Sequence, residues 1–277
     1  MRILLALSLA CVLPAAATAQ PPDPHAGHVM PAAAPGNQTP GTTTPVPPLT
    51  DSDRTAAFPD VHGHTVHDTS VHYKALFDQL EWQYIHGKQG LRWDNSTWLG
   101  GDVNRLWIKT EGEAVDGVID DADVRLLYGR AFSRWWEWIA GVRQDFRPSP
   151  SHTWLAIGLH GVAPQRVQID AMAYVGPNGH TAARFEAEYE LHMTQRLVLQ
   201  PLVELSLAGK DDPDRGIGAG LSTGEVGFRL RYEVRRELAP YAGVVWHKKL
   251  FGTADFADAA GKDAGGWHLV AGLRTWF

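Results

Sequence analysis

Cysteine is almost absent from this chain, because Cys11 is the only one among its 277 residues. It lies in an N-terminal segment in which Arg2 precedes an apolar run that ends in Ala17-Thr18-Ala19. This is the pattern of a secretory signal peptide with an Ala-x-Ala cleavage site, so we expect residues 1–19 to be removed. A mature chain without cysteine forms neither disulfides nor thiolate metal sites, and cysteine nucleophiles are excluded with them.

Long apolar segments and an excess of basic charge are also missing. No stretch after the signal peptide is both long and apolar enough for a membrane helix, which needs roughly 20 predominantly apolar residues. The chain carries 25 basic and 31 acidic residues, a formal net charge of −6, and cleavage before Gln20 makes it −7 because Arg2 is lost. This sign disfavours nucleic acid as a partner but not metal cations. The secreted protein is therefore expected to be periplasmic, released, or an outer-membrane β-barrel.

Prolines separate the first part of the mature chain from the rest. They recur from Gln20 to about Asp60 among Ala and Thr residues, with too little apolar surface to build a core. A histidine-bearing junction follows and ends at His72. We predict that residues 20–72 form a flexible, disordered tail in the periplasm and that residues 73–277 form the folded domain.

From Tyr73 onward, apolar and charged residues alternate. Between 185 and 191 the odd positions hold Phe, Ala, Tyr and Leu, whereas the even positions hold Glu. Between 226 and 234 the even positions are all apolar, and the odd positions after Gly227 are Arg, Arg and Glu. A period of two residues predicts strands with one apolar and one charged face.

About twelve such runs can be counted. They cover residues 76–86, 89–99, 103–114, 119–132, 135–146, 152–163, 166–176, 180–191, 196–207, 218–234, 237–248 and 266–277. Their lengths and even number fit a closed membrane barrel of tilted strands. Tight turns such as 176–179 and longer loops such as 209–215 and 252–266 predict one end with short connections and one with long ones.

Aromatic residues support a location in the outer membrane. The last strand ends on Trp276-Phe277, and a terminal aromatic residue is typical of bacterial outer-membrane barrels. Aromatic side chains near the strand ends suit an interfacial girdle: Trp82, Trp98, Trp135, Trp136, Trp138, Trp154, Tyr241 and Trp246. A soluble barrel or sandwich would have the two faces reversed. Because an Arg or Lys facing mid-membrane lipid costs about 2–4 kcal/mol, the clean segregation favours an all-β, transmembrane, antiparallel up-and-down barrel.

Two groups of possible metal ligands lie in the tail: His25, His28 and Met30, and further along His62, His64, His67 and His72. Imidazole with a thioether suits copper, and methionine favours the cuprous state. Imidazoles alone also accept Cu(II), Zn(II) or Ni(II), so spacing does not choose the metal. The alternative is a solvated linker whose histidines bind nothing.

The charged strand faces would meet inside the barrel. A salt-bridge lattice that fills the lumen is one interpretation, and a cation path lined by carboxylates is the other. Soft ligands are rare in the strands, and we predict Met172, His160 and His192 as the candidates there. Met172 shares the expected lumen face of Asp170, and His192 shares that of Glu190.

The sequence contains no clear motif of catalytic residues. Ser206 and Ser222 exist, but no Gly-x-Ser-x-Gly elbow surrounds them and no histidine takes an obvious supporting position. A lipid-modifying barrel enzyme is therefore the less favoured class, and a general small-solute channel without a metal site is the other alternative. No catalytic residue is assigned.

Several motifs resemble the copper-resistance protein B family over residues 75–277. The most specific is Trp-Leu-Gly-Gly-Asp-Val-Asn-Arg-Leu-Trp-Ile-Lys-Thr-Glu-Gly-Glu at 98–113, and the likeness continues at 127–130, 141–145, 185–190, 238–241 and 272–274. The resemblance implies an outer-membrane barrel that acts with periplasmic copper-handling proteins. Such proteins are held to bind copper and to help sequester it or pass it outward.

The tail departs from the family pattern. Family tails are typically rich in Met and His, whereas Met30 is the only methionine in this tail after the expected cleavage. This difference shifts the weight to the tail histidines. The hypothesis from the sequence is a non-enzymatic outer-membrane protein that binds copper, with the oxidation state and the choice between export and sequestration left open.

Overall fold

A computed structural model of the chain describes residues 50–57 and 70–277. Thirteen strand segments and two α-helices occur in this part of the chain. The strands are β1 (His72–Ile85), β2 (Lys88–Gly100), β3 (Asn104–Val115), β4 (Val118–Ala131), β5 (Trp136–Arg147), β6 (His152–Val162), β7 (Gln168–Val175), β8 (Thr181–Glu188), β9 (Leu191–His192), β10 (Leu197–Ala208), β11 (Gly220–Tyr232), β12 (Leu238–Lys249) and β13 (Gly265–Trp276), and the helices are α1 (Asp51–Ala57) and α2 (Phe251–Ala259).

The strands form one closed antiparallel barrel. Each strand pairs with its neighbours in the chain, and β13 returns to pair with β1. Short β9 continues the line of β8, since both pair with β10. The ladder is interrupted between them because Pro201, on β10, has no N–H to donate, although it accepts a bond from the Tyr189 N–H at 3.1 Å. The result is a twelve-stranded up-and-down barrel, which confirms the predicted fold class.

The two faces of the barrel wall are inside-out relative to a soluble protein. Leu155, Ile157 and Leu269 on the outer face are 67%, 57% and 58% exposed, whereas Glu81 and Arg229 on the inner face are 0% and 1% exposed. Apolar side chains outside and paired charges inside are the distribution expected for a barrel surrounded by membrane lipid. The soluble alternative is therefore wrong for this barrel. No helix within the two described ranges is long and apolar enough to cross a membrane.

The two ends of the barrel differ. We call the end that carries His72 and Trp276 the termini end, and its connections are the short segments 101–103, 132–135, 163–167, 193–196 and 233–237. We call the opposite end the loop end, and it carries the longer connections 209–219 and 250–264 as well as two-residue turns. The expected asymmetry holds for the long loops, which share one end, but it is wrong for the tight turn 176–179, which lies at that same loop end.

Loop 209–219 folds inward over the loop end. Asp212 and Arg215 are only 8% exposed, and Arg215 Nη2 donates to Asp145 Oδ2 at 2.7 Å. The Gly218 N–H donates to Thr253 Oγ1 of α2 at 2.9 Å, which ties this loop to the next one. Helix α2 lies in the segment 252–266 that we predicted as an irregular loop, because polar composition alone does not reveal a short helix packed on β11 and β12.

Three further details differ from the sequence analysis. Trp154 and Tyr241 face the lumen and are only 7% exposed, so they do not belong to an interfacial girdle. The inward position of Trp154 is fixed by its indole N–H, which donates to Asp145 Oδ2 at 2.9 Å. His72, assigned to the tail, is the first residue of β1.

Within the predicted tail, residues 51–57 form α1. Its start has a reciprocal cap, in which the Asp53 N–H donates to Thr50 Oγ1 at 3.2 Å and the Thr50 N–H donates to Asp53 Oδ2 at 2.9 Å. This is a capping box with Asp in the position of the usual Glu or Gln, which explains why a helix begins at this point.

Candidate functional site

The structure describes some of the predicted metal ligands and not others. His25, His28, Met30, His62, His64 and His67 lie outside the described residues. His72 is exposed at the termini end, where its register partner is Gly100. Met172, His160 and His192 lie in strands β7, β6 and β9.

Met172 packs on the lumen side of β7. It is 4% exposed and belongs to a buried cluster that we call the aromatic cluster, whose members are Trp107, Leu127, Ile139, Trp154, Ala156, Met172 and Tyr174. Its sulfur occupies the space above Gly158 of β6, where a Cβ atom at position 158 would lie 2.4 Å from it. Because Gly158 has no side chain, the Met172 sulfur fills that space and is fixed there by close packing.

His160 lies beside Met172. In the β6–β7 ladder Met172 faces Gly158 and His160 faces Asp170, so the two ligands occupy diagonal positions on the same face. Diagonal neighbours of this kind are about 7–8 Å apart at Cα and within reach of long side chains. The Trp107 ring, which belongs to the aromatic cluster, has its centroid 5.3 Å from that of His160. The structure thus brings together two of the three soft ligands predicted in the strands.

The electrostatics around this pair favour a cation of low charge. Asp170 forms an ion pair with Lys109, and His160 Nδ1 lies 3.3 Å from Asp170 Oδ2. That ring nitrogen is buried and makes no hydrogen bond. Because Lys109 already neutralises the carboxylate, the thioether and imidazole are left as uncharged ligands, a set that suits Cu(I) better than a divalent ion.

Trp107 is a member of this site that sequence reasoning did not single out as a ligand. Its indole lies beside His160, and Lys109 Nζ lies 5.6 Å from the centre of its ring, which shows that its face accepts a cation. The sequence did contain evidence that Trp107 faces the lumen, because Trp107 and Lys109 are two residues apart on one strand and therefore share a face.

His192 lies apart from this pair. It is exposed at the termini end and lines an open vestibule of about 690 Å³. A smaller cavity of about 100 Å³ lies in the lumen, and His160, Asp170 and Asp94 are among its lining residues. Arg274 lines both spaces and binds Asp78 Oδ1 at 2.5 Å, so this ion pair stands between the vestibule and the inner cavity.

Ion pairs cross the lumen between strands that are not neighbours. Arg92 of β2 donates to Glu225 of β11 at 2.5 Å, and Arg229 of β11 donates to Glu81 of β1 at 2.7 Å. Glu111 of β3 accepts from Arg184 of β8 and also from Arg92 and Arg125. Contacts of this kind fill the cross-section, as the salt-bridge lattice predicted. Among the described residues, no group of three or more His, Cys, Asp or Glu is already arranged to hold a metal ion.

Ser222, the serine considered for a lipid-modifying enzyme, is buried at 6% exposure. Its hydroxyl donates to the backbone carbonyl of Ser206 at 3.0 Å. A side chain bonded in this way joins β11 to β10.

Comparisons with known proteins agree with the geometry. A family model described as "Copper resistance protein B precursor (CopB)" matches residues 71–277. The chain is 44% identical to the Copper resistance protein B homolog of Pseudomonas syringae pv. tomato (strain ATCC BAA-871 / DC3000), over 99% of this chain and 94% of that protein. It is 43% identical to Copper resistance protein B of Escherichia coli, over 92% of this chain and 90% of that protein.

Among solved structures, the barrel is similar to a crystal structure of the NanC porin. The TM-score is 0.50 at 13% sequence identity, and the match covers 74% of this chain and 99% of that one. At this level of identity the likeness concerns the fold only. It shows that the barrel has the architecture of an outer-membrane porin.

Proposed function

Because the chain belongs to the copper-resistance protein B family, we propose that it binds copper in the outer membrane and helps to sequester it or to pass it out of the periplasm. The family match over residues 71–277 supports a role in copper resistance. The observation that carries the step from copper resistance to copper binding is the placement of Met172 beside His160 on the lumen face. In this proposal the protein is a binding and transfer protein without catalytic activity.

The route begins at the termini end. In this proposal the tail precedes β1 in the periplasm, where His25, His28, Met30, His62, His64, His67 and His72 capture copper delivered by periplasmic copper-handling proteins. The termini-end vestibule, with His192 and the carboxylates Glu190 and Glu233, then receives the ion. In this proposal the inner cavity, which His160 and Asp170 line, then brings the ion to His160, the diagonal neighbour of Met172.

Growth in copper tests the proposed role. A strain that lacks this protein is complemented with the wild-type chain, with Met172→Leu/His160→Asn, or with the control Met193→Leu, whose methionine is 58% exposed at the termini end. The wild type and the control are expected to restore copper tolerance, and the double variant is expected to restore much less. Full tolerance with the double variant would contradict a functional lumen site.

Thiol labelling tests the orientation, because Cys11 is the only native cysteine. A cysteine is introduced as Gln195→Cys at the termini end or as Lys262→Cys at the loop end, and intact cells are treated with a membrane-impermeant maleimide. The proposal predicts labelling of the loop-end variant alone. Labelling of the termini-end variant alone would reverse the proposed direction of the tail.

A general small-solute channel is the second candidate, and the porin-like fold favours it. The ion pairs that join β2 to β11 and β3 to β8 across the lumen argue against it. Conductance in a planar bilayer distinguishes the two functions. We expect little conductance to potassium chloride, whereas a steady, large conductance independent of copper would favour the channel.

A further inference from the structure

Three histidines outside the predicted sites converge at the loop end of the lumen. They are His86, the first residue of the turn between β1 and β2, His247 on β12 and His268 on β13. His247 faces Gly266 in the β12–β13 ladder, and His268 lies two positions further along β13. His268 also pairs with Ile85, the residue that precedes His86. The topology thus places three imidazoles around one position, Gly266.

Gly266 makes room for one of these rings. A Cβ atom at position 266 would lie 2.6 Å from His86 Cε1 and 2.9 Å from His86 Nε2. Position 266 shares the lumen face of His268, which is 4% exposed, so this space belongs to the inside of the barrel mouth. The His86 ring therefore folds over the barrel rim toward the other two imidazoles, with Nε2 on the inner side.

The turn itself does not require an imidazole. His86 has φ 45° and is followed by Gly87 with φ 89°, a pair of left-handed residues of the kind found in two-residue hairpin turns. Two other turns at the loop end have the same form and begin with Asp116 and Asn178. Asp and Asn are the side chains that such turns favour, and histidine also tolerates the left-handed conformation, so the turn permits the imidazole without requiring it.

A carboxylate fixes the orientation of His86. His86 Nδ1 lies 2.7 Å from Asp263 Oδ2, and the Gly265 N–H donates to Asp263 Oδ1 at 2.9 Å. A carboxylate on one ring nitrogen is the common way to present the other nitrogen to a metal ion.

The inner part of the group contains buried atoms without hydrogen-bond partners. His268 Nε2 is one of them, and Oε1 of Glu225, which faces His247 on the neighbouring strand, is another. The nearest cation, Arg92, is bound to the second oxygen of Glu225 at 2.5 Å. Glu225 Oε1 has Arg229 Nη2 as an ion-pair partner at 3.7 Å. Buried polar atoms normally find a partner, so the imidazole nitrogen of His268 without a hydrogen bond indicates room for a ligand.

The spacing of the rings is within the range of a shared metal ion. The ring centroids of His247 and His268 are 6.2 Å apart. A metal–nitrogen bond of 2.0–2.1 Å puts each ring centre about 3.2 Å from the ion, so a spacing of 6.2 Å fits an open nitrogen–metal–nitrogen angle of about 150°. A tetrahedral ion would bring the two ring centres to about 5 Å, which requires the side chains to approach each other by about 1 Å. His86, held by Asp263 with Nε2 on the inner side, is the third ligand of the set.

We propose that His86, His247 and His268 form a binding site for a borderline divalent transition-metal ion at the loop end of the lumen. Imidazole ligands with a nearby carboxylate suit Zn(II), Cu(II) or Ni(II), in contrast to the thioether-containing pair at Met172. The site does not depend on copper binding at Met172 and His160. The three ligands lie at the loop end, opposite the end at which β1 begins.

Zinc titration of the full-length protein in detergent tests this site, with isothermal calorimetry as the readout. His86→Asn removes one ligand and preserves the turn, since Asn suits the left-handed position. His268→Gln removes a second ligand by an independent change. The matched control is His180→Asn, which removes a loop-end histidine outside the group. Unaltered migration of the unheated protein in a denaturing gel shows that each variant is folded.

We expect His86→Asn and His268→Gln each to weaken one zinc equivalent at least tenfold, whereas His180→Asn leaves it unchanged. Asp263→Asn, which removes only the orienting carboxylate, is expected to weaken the same equivalent by about tenfold. Wild-type zinc stoichiometry and affinity in both His86→Asn and His268→Gln would overturn the proposal. An equal loss in His180→Asn would overturn it too, because the effect would then not belong to this group.

Discussion

Buried side chains of the lumen wall have two kinds of surroundings, one around Met172 and the other around Arg229. In the aromatic cluster around Met172, the contacts are mainly dispersion contacts among apolar and aromatic side chains, and His160 Nδ1 beside it lacks a hydrogen bond. Around Arg229 the side chains are charged and tightly bonded: Glu81 accepts from both Arg229 and Gln83. The Arg229 region holds the wall together, and the Met172 region keeps ligand atoms available.

This difference separates stability from binding. Removing one member of a buried ion pair leaves the other charged in a site without water, whereas exchanging one apolar side chain for another of equal size disturbs little. Substitutions near Arg229 are therefore expected to affect folding, and substitutions near Met172 are expected to affect copper. The four predictions below test that separation.

The largest expected effect is that of Arg229→Leu. Glu81 is 0% exposed and would lose its cationic partner, which costs about 3–5 kcal/mol in the free energy of unfolding. Urea unfolding of the refolded barrel in detergent, followed by tryptophan fluorescence, measures the loss. The control is Glu81→Leu/Arg229→Leu, in which both charges are gone and most of the stability is expected to return. A single variant as stable as the wild type would show that this ion pair does not support the wall.

Met172→Leu is expected to change binding rather than folding. Leucine nearly conserves the volume, so the free energy of unfolding should change by less than about 1.5 kcal/mol. Loss of the thioether should weaken Cu(I) binding at least tenfold, or about 1.4 kcal/mol, in competition with a chromogenic Cu(I) chelator. The control Met193→Leu should leave both quantities unchanged. Equal Cu(I) affinity in the two variants would remove Met172 from the site.

His160→Asn separates the role of the imidazole from that of the Met172 thioether in copper binding. Imidazole binds both oxidation states of copper, whereas a thioether favours Cu(I). We therefore expect His160→Asn to weaken the binding of Cu(I) and Cu(II), in contrast to Met172→Leu, which should spare Cu(II). Electron paramagnetic resonance of bound Cu(II) measures how much Cu(II) each of the two variants still binds. Identical effects of the two variants on both ions would argue against separate roles.

The smallest effect is expected for Ser222→Ala. It removes one hydrogen bond to the Ser206 carbonyl and should cost about 1 kcal/mol or less. If the serine only joins strands, the lipid composition of the outer membrane stays the same in cells that carry the variant. A change in lipid acylation that depends on Ser222 would instead support a lipid-modifying enzyme.

Much of the wall could be predicted from the sequence because a strand has a strict period. Alternation assigned Met172 and the charged positions between 226 and 234, Arg229 among them, to the lumen without any knowledge of strand pairing. Interruptions were harder to foresee. The break between β8 and β9 depends on Pro201 in the adjacent strand, and the inward fold of Arg215 depends on Asp145, far away in the chain.

The site was only partly predictable, for a related reason. Period two places His160 and Met172 on the lumen face, but their contact depends on the register between β6 and β7, which no local pattern specifies. The convergence of His86 with His268 needs closure of the barrel through β1 and β13 as well as the small size of Gly266. Trp154 was assigned to a girdle because position near a strand end was given more weight than its face.

Copper titration of two forms of the protein tests the central claim most directly. Cu(I) stoichiometry and affinity are measured on the refolded protein with and without residues 20–71, since His72 belongs to β1. Each form is also measured with Met172→Leu/His160→Asn. The account predicts that the shortened barrel retains a Cu(I) equivalent that the double substitution removes. No Cu(I) binding by the shortened barrel, or binding that survives the double substitution, would contradict a copper site at Met172 and His160.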